Sequence, residues 1–309
     1  MLLITSRIKN NHKSKIPIAY ATDNNYTYPT LVSMTSLLET IQHHKTFYDI
    51  YIMITNDFTQ ENKDKLKSIQ EHYPHHCTIT FINMTNMYIE QNSFPKSKYY
   101  RLALHDKLQH IDKIIYLDGD TLVFEGLTEL IDLNMNGYYI LGFLDSLFWA
   151  LEIYGIKNAI VLNSGVLLMD LKALRDNNVT YKFNQFMKNN NNSVIQEDQT
   201  IINYVLQKNI SKLPPKYGMW AFGNIVLALE HNRIQRPWLK YNIKKFKFAF
   251  EHPSILHYTG AKPYRDKSAP YYSNWWNYAK MTGFFDDIYQ YFLDNLKRLD
   301  TYSNNTNNI

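Results

Sequence analysis

Lys113-Ile114-Ile115-Tyr116-Leu117-Asp118-Gly119-Asp120-Thr121-Leu122-Val123-Phe124 is the stretch on which the reading of this chain turns. Ile114 to Leu117 form an apolar run of strand length, and the run delivers two carboxylates at its end. In an extended backbone, residues i and i+2 point to the same side, so Asp118 and Asp120 can meet one partner. Gly119 between them lets a ligand approach the main chain. Two carboxylates at contact distance repel by roughly 4 kcal/mol at an effective dielectric near 20. A divalent cation relieves that repulsion, and hard oxygen ligands suit Mg2+ or Mn2+. Ligands of open α/β sheets sit at the carboxyl ends of strands, so the stretch reads as a metal–diphosphate site.

The triplet needs its context, because 18 Asp among 309 residues supply about one Asp-x-Asp by chance. Working outward, Ile16 to Ala21 reads as a first strand that ends in Thr22-Asp23-Asn24-Asn25-Tyr26. A helix follows with Pro29 near its start and Leu31, Met34, Leu38 and Ile41 on one face. Tyr48 to Ile54 is a second strand, Thr59 to His72 a charged helix, and Thr78 to Ile82 a third strand. A loop with Pro95 leads into a helix over Lys98 to Gln109 and then into the opening stretch. Strands alternating with helices predict an α/β fold, a Rossmann-like, doubly wound, mostly parallel sheet. Further strands are expected over Tyr138 to Leu144, Val161 to Leu171 and Ser254 to Gly260, with helices over Tyr181 to Met187 and Glu197 to Gln207. Tyr271 to Lys280 and Phe284 to Leu299 read as terminal helices. The expected organisation is a catalytic domain over 15–265, a C-terminal helical extension over 266–300 and a disordered tail over 301–309, matching a frayed polar start over 1–14.

Hydrophobic residues at 45% and charged residues at 20% are those of a globular protein with material for a sizeable core. No apolar run reaches membrane-span length, and the apolar part of Met1 to Arg7 is too short for a secretory signal. Cys77 is the single cysteine, which excludes an intrachain disulfide and points to a reducing compartment: the cytoplasm, or the host cytoplasm for a viral source. A net charge of +5, spread along the chain, asks for no nucleic acid. The densest basic segment, Lys240 to Lys247, alternates Lys with Tyr, Ile and Phe and is expected to be a strand with one solvated face.

Six ordered blocks are similar to those of the retaining glycosyltransferases of family 8, the group of glycogenin and the bacterial lipopolysaccharide galactosyl- and glucosyltransferases. They are Ala21-Thr22-Asp23-Asn24-Asn25-Tyr26, Tyr99-Tyr100-Arg101-Leu102, Tyr116 to Asp120, Leu162-Asn163-Ser164-Gly165-Val166-Leu167-Leu168, Asp198 to Asn203, and His257 to Pro263. The resemblance runs from about Ile16 to about Tyr264, with Leu162 in place of an aromatic residue and Tyr264 where Trp is common. It implies a GT-A fold, a UDP-sugar donor and Mn2+, with Mg2+ as an alternative ion. It further implies that Asp118, Asp120 and His257 hold the metal; imidazole suits Mn2+ better than Mg2+.

The other blocks are read in the same light. Uracil is expected on the Tyr26 ring, with its hydroxyl left free, and Ala21, Thr22 and Asp23 near base and ribose. Arg101 offers a guanidinium fork suited to phosphate or sugar hydroxyls. Asp145, Asn163, Asp198 and Gln199 are expected to contact the donor sugar, and Asp198 and Asp145 are the residues to test for a nucleophilic or stabilising role. Gly260 and Lys262 follow His257 in a turn suited to an anion, with Lys262 a point charge on the diphosphate. Together with Gly119 these residues make up the expected donor site. The acceptor is left open between a glycan, a glycolipid and a protein, including a tyrosine of this chain, and so is a homodimer. Asp118-Gly119-Asp120-Thr121-Leu122 is also close to the Asp-x-Asp-x-Thr of dehalogenase-type phosphatases, but Leu122 breaks that pattern and the motif falls after three βα units rather than at the start. A catalytically inactive nucleotide-sugar-binding scaffold is the remaining alternative.

Overall fold

The computed structural model describes residues 15–43, 46–85, 96–145, 148–157, 159–191, 194–220 and 243–294. The expected frayed start, the Pro95 loop and the 301–309 tail lie outside them.

The first half of the chain is a regular alternation. β1 (Lys15–Ala21), α1 (Thr27–Glu39), β2 (Phe47–Ile54), α2 (Gln60–His72), β3 (Cys77–Asn83) and β4 (Lys113–Asp118) follow in order. Ile16, Ile18, Ile50, Ile52, Ile114 and Ile115 are buried, as strands covered on both faces require. Thr59 starts α2 by accepting the Asn62 N–H on its hydroxyl at 3.2 Å. Between β3 and β4, the helix expected over Lys98 to Gln109 is instead a 3-10 helix, Lys96–Ala103, followed by one α turn, α3 (Leu104–Lys107).

Beyond β4 the chain adds β5 (Thr121–Val123), α4 (Thr128–Ile131), β6 (Ile140–Leu144), α5 (Phe148–Ile153), β7 (Leu162–Asp170), α6 (Leu171–Asp176), α7 (Val179–Asn189), α8 (Glu197–Val205), β8 (Ile210–Lys212) and β9 (Tyr217–Trp220). The main sheet has the order β3-β2-β1-β4-β7-β6-β8. β3, β2, β1 and β4 are parallel, as are β6 and β8, while β7 runs antiparallel to both of its neighbours.

A second, three-stranded sheet positions the site. β10 (Ile255–His257) lies between β5 and β9, antiparallel to β5 with His257 opposite Thr121. The Tyr258 N–H donates to the Asp120 carbonyl at 3.0 Å, so the end of β10 is fastened to the turn that carries the two aspartates. α1 holds β5 from the other side. Ser33 and Thr121 hydroxyls meet at 2.7 Å, and Ser36 accepts the Val123 N–H at 3.0 Å. These small polar residues explain why α1 is buried all round instead of on one stripe: it packs against α2, β5 and α10 (Tyr272–Met281).

α10 and a last helix, α11 over 285–294, belong to the same core. Trp275 is buried, Tyr264 stacks on Phe292 with ring centroids 4.0 Å apart, and the Tyr291 hydroxyl donates to the Asn25 carbonyl at 3.1 Å. A second expectation is overturned. Residues 243–247 of the basic segment form α9 (Ile243–Glu251), not a strand; 240–242 lie outside the described residues. Phe246 and Ala249 are buried at a spacing of three, whereas the Lys–Phe alternation that suggests a strand leaves Phe248 exposed.

Candidate active site

β4 ends in Asp118, Gly119 and Asp120 make the turn into β5, and β10 brings His257 alongside. Ligand atoms of Asp118, Asp120 and His257 lie within 4.8 Å of one another. His257 Nε2 is 3.2 Å from Asp120 Oδ1 and 3.6 Å from Asp118 Oδ2. Two carboxylates and an imidazole are the donor set of a divalent ion such as Mn2+, and Mg2+ accepts the oxygen share of it. The cradle is deep: a Cβ on Gly165 would sit 2.7 Å from both Asp118 Oδ2 and His257 Nδ1. On geometry and chemistry, these residues fit the ion.

Each aspartate spends its other oxygen on the protein. Asp118 Oδ1 accepts from Arg101 Nη2 at 2.8 Å and from the Tyr116 hydroxyl at 2.7 Å. Asp120 Oδ2 accepts from the Tyr26 hydroxyl at 2.7 Å and pairs with Lys262, which also donates to the Tyr258 carbonyl. Burial disfavours ionised Asp120, yet Lys262 and His257 hold its carboxyl well below the usual range. Burial, reinforced by the neighbouring carboxylates, pushes the Tyr26 and Tyr116 hydroxyls up and keeps them donors. Both aspartates therefore present one committed oxygen and one directed at the cluster.

Arg101 is 4% exposed, although a place on the exposed face of a helix is open to it from sequence. Its Nε donates to the Lys98 carbonyl at 3.1 Å, Nη1 to the Ser164 carbonyl and Nη2 to Asp118, and its guanidinium lies 4.4 Å from the Tyr116 ring centroid. Burial opposes its charge, and Asp118 and Asp198 outweigh that opposition. Asp198 Oδ2 lies 3.2 Å from Arg101 Nε, near enough for charge attraction, but that N–H points at Lys98. Asp198 Oδ2 is thus buried without a hydrogen bond among the described residues. Burial pushes the Asp198 carboxyl up to about 6, against the pull of Arg101.

Ala21, Thr22, Asp23, Tyr26, Arg101, Asp118, Gly119 and Asp120 line one cavity of about 230 Å3. Ser97 and Lys98 line it too, and the sequence reading missed both. Ser97 donates to Asp23 Oδ2 at 3.2 Å, while Asp23 Oδ1 caps the turn through the Asn25 and Tyr26 N–H groups, each at 3.0 Å. Lys98 pairs with Glu197 at 2.9 Å. Tyr116 and Tyr264, the latter bonded to the Tyr26 hydroxyl, were also missed; a Tyr two residues before Asp118 on the same strand face was the available signal.

Two details depart from expectation, and a third adds to it. The Tyr26 hydroxyl is engaged by Asp120 and is not free. Gly119 makes room for the protein itself, because a Cβ there would collide with the Thr30 hydroxyl and sit 3.2 Å from the Tyr26 ring. Asp145, Asn163 and Gln199, expected around a sugar, bond one another: Asn163 Nδ2 and Gln199 Nε2 donate to Asp145 Oδ2 at 3.2 and 3.0 Å. Gly260 lies in the half-buried turn between His257 and Lys262.

The model of a family described as "Glycosyl transferase family 8" matches residues 17–268. General stress protein A of Bacillus subtilis is 26% identical, over 86% of this chain and 93% of its own. A lipopolysaccharide 1,2-glucosyltransferase of Escherichia coli is 24% identical, over 91% of this chain and 80% of its own. Among solved structures, the galactosyltransferase LgtC in complex with donor and acceptor sugar analogs superposes with a TM-score of 0.69 at 19% identity, covering 86% of this chain and 96% of its own. The bifunctional glycosyltransferase WbbM superposes with a TM-score of 0.74 at 18% identity over 90% of this chain, which spans about half (52%) of that protein. The expected GT-A fold is the fold observed. Among the described residues no helix is long and apolar enough to cross a membrane.

Proposed function

The chain belongs to glycosyl transferase family 8, and on that premise we propose that it transfers a hexose from a UDP-sugar to an acceptor hydroxyl with retention at the anomeric carbon. Family and fold support a glycosyltransferase; the donor, the ion and the stereochemistry are our reading. The observation that carries it is the Asp118–Asp120–His257 cluster at the edge of the cavity lined by Ala21, Thr22, Asp23 and Tyr26. Asp118, Asp120 and His257 would hold Mn2+, or Mg2+ in its place, which when bound supplies Lewis-acid stabilisation of a diphosphate leaving group.

The chain's own residues divide the remaining work. Arg101 fixes the orientation of Asp118 and adds positive charge behind the diphosphate position. Lys262, paired with Asp120, is within reach of the same charge and serves as a mobile counter-ion for the departing UDP. The Tyr26 ring supports the base, with Ala21, Thr22 and Asp23 around base and ribose and Gly119 beside the phosphates. Gly260 gives the turn that carries Lys262. Asp198 has the chemistry of a nucleophile or stabiliser: a buried carboxylate with one oxygen committed to no hydrogen bond among the described residues. Asp145 acts at one remove, through Asn163 and Gln199. The catalytic unit spans 15–265, and within the 266–300 extension α10 braces α1 from outside.

Glucose is the proposed hexose and a glycan or glycolipid the proposed acceptor, following the lipopolysaccharide glucosyltransferases among the relatives. The test is incubation with UDP-glucose and Mn2+, reading UDP release, anomeric configuration by NMR, and any hexose mass increment on the protein. UDP release with a sugar acceptor and retained configuration supports the proposal. A mass increment without acceptor supports self-glycosylation on one of the 25 tyrosines. No UDP from any common UDP-sugar refutes catalysis and leaves the binding scaffold.

A further inference from the structure

Two side-chain amides behind the cluster, those of Asn163 and Gln199, have their orientations dictated by partners that can only donate or only accept. The Gly165 N–H donates to Asn163 Oδ1 at 2.9 Å, and a main-chain N–H has no other role. The atom it meets is therefore the carboxamide oxygen, and the Asn163 nitrogen faces Asp145 Oδ2 at 3.2 Å. Gln199 repeats the pattern. Its Oε1 accepts the Ser164 N–H at 3.3 Å, and its Nε2 faces the same Asp145 oxygen at 3.0 Å. Asp145 is 1% exposed, so the polarity of this network is set inside the protein.

The consequence falls on His257. Asn163 Oδ1 lies 3.0 Å from His257 Nδ1. A carbonyl oxygen only accepts, so Nδ1 carries a proton. The other nitrogen, Nε2, faces Asp118 and Asp120, where it can hold either a proton or a cation. We propose that Asn163, oriented by Asp145, is a positioning residue that pins a proton on His257 Nδ1 and so reserves Nε2 for the metal. This deepens the metal reading above and rests on it only for the consequence to metal affinity. It gives Asn163 a role in addition to the sugar contact that its place in its sequence block suggests. Partners of this kind commonly set metal affinity by 10- to 100-fold.

The test uses the full chain labelled with 15N-histidine, with His257 assigned by a His257→Gln variant. In metal-free wild type, Nδ1 is expected to carry a proton, hydrogen-bonded to Asn163 Oδ1. Adding Zn2+ as a diamagnetic stand-in should shift the Nε2 resonance to that of a metal-bound nitrogen and leave the Nδ1 proton in place. Asn163→Leu should let the neutral ring move its proton to Nε2, facing Asp120, and weaken Mn2+ binding on the order of 10- to 100-fold by EPR titration. Because that variant takes a partner from Asp145 and from the Gly165 N–H inside a buried network, Asn163→Asp combined with Asp145→Asn provides a second arm. It keeps an acceptor on His257 and should retain the Nδ1 proton. A bare Nδ1 in folded wild type overturns the proposal. So does an Asn163→Leu protein with unchanged ring protonation and Mn2+ affinity. Wild type that shows the Nδ1 proton yet binds no Mn2+ upholds the positioning role and refutes the metal reading instead.

Discussion

Gly165→Ala adds one methyl group at the back of the cluster. Its Cβ would lie 2.7 Å from Asp118 Oδ2 and 2.7 Å from His257 Nδ1, and closer still to the imidazole Cε1, where ordinary contact begins at 3.4 Å. Relief demands a movement of about 0.7 Å or more by Asp118, His257 or both. Neither is free to give way. Asp118 is tied to Arg101 and Tyr116, and His257 to Asn163, while Gly165 itself lies inside the strand Leu162–Asp170. Metal–ligand distances tolerate only about 0.2 Å, and a misplacement near 1 Å costs about a hundredfold in a catalytic site. The expected result is Mn2+ affinity and sugar transfer reduced on the order of 100-fold, with an overpacking cost of about 1–3 kcal/mol in stability. Gly142→Ala is the overpacking comparison: its Cβ would meet the flexible end of Leu167 at 3.0 Å, Leu162 Cβ at 3.2 Å and the Asn163 carbonyl at 3.3 Å but none of the three cluster side chains, so it should lose stability with a much smaller loss of metal affinity than Gly165→Ala. EPR titration, UDP-release kinetics and urea unfolding of both variants decide the matter. A Gly165→Ala protein that binds Mn2+ within twofold of wild type would refute the claim that these three side chains share one ion.

Other outcomes follow from the same geometry. The Asp198 carboxyl at about 6, against roughly 3.9 unfolded, means the folded state favours the proton more than the unfolded state does. Stability is therefore highest below about pH 4 on this account and falls as pH rises to about 6, by on the order of 3 kcal/mol; Asp198→Asn should flatten that slope in urea melts across the window, and an unchanged slope would count against it. Arg101→Met leaves Asp118 and Asp198 without their buried counter-charge and should cost about 3–5 kcal/mol, read by denaturant unfolding; a loss under 1 kcal/mol would show that the pairs are not coupled to the fold. Tyr26→Phe removes only the hydroxyl, with its bonds to Asp120 and Tyr264, so donor KM should rise less than about tenfold, whereas Tyr26→Ala also removes the ring. Equal KM values for the two variants would exclude the ring from donor binding.

How much of this was legible in the sequence depends on the range of the interaction. β1, β2, β3 and β4 were readable because each is a local apolar run between turn residues, and their parallel order follows from the helices between them. The helix at Ile243–Glu251 was not, because Lys244, Lys245 and Lys247 alternating with Phe246 and Phe248 fit a period of two as well as a helix; burial of Phe246 with Ala249 breaks the tie only in three dimensions. β5, β9 and β10 are three or four residues long, too short to carry any period, yet their pairing brings His257 to the aspartates. Spacing along the chain could not announce that contact; the family resemblance did.

The polar residues pose a different difficulty. Asp, Asn and Gln at strand ends can face a ligand or one another, and the residue type is the same in both cases. Asp23, Arg101, Asp118 and Asp120 were read as ligand contacts and do line the cavity, but each also carries a protein partner that the sequence did not reveal. Asp145, Asn163 and Gln199 were read the same way, and their hydrogen bonds run to each other and to His257. A buried carboxylate left unpartnered costs several kcal/mol, so a site built to hold a cation needs an outer layer of donors before any ligand arrives. In this chain Arg101, Tyr116 and Asn163 supply that layer around Asp118 and His257, and Tyr26 and Lys262 supply it around Asp120.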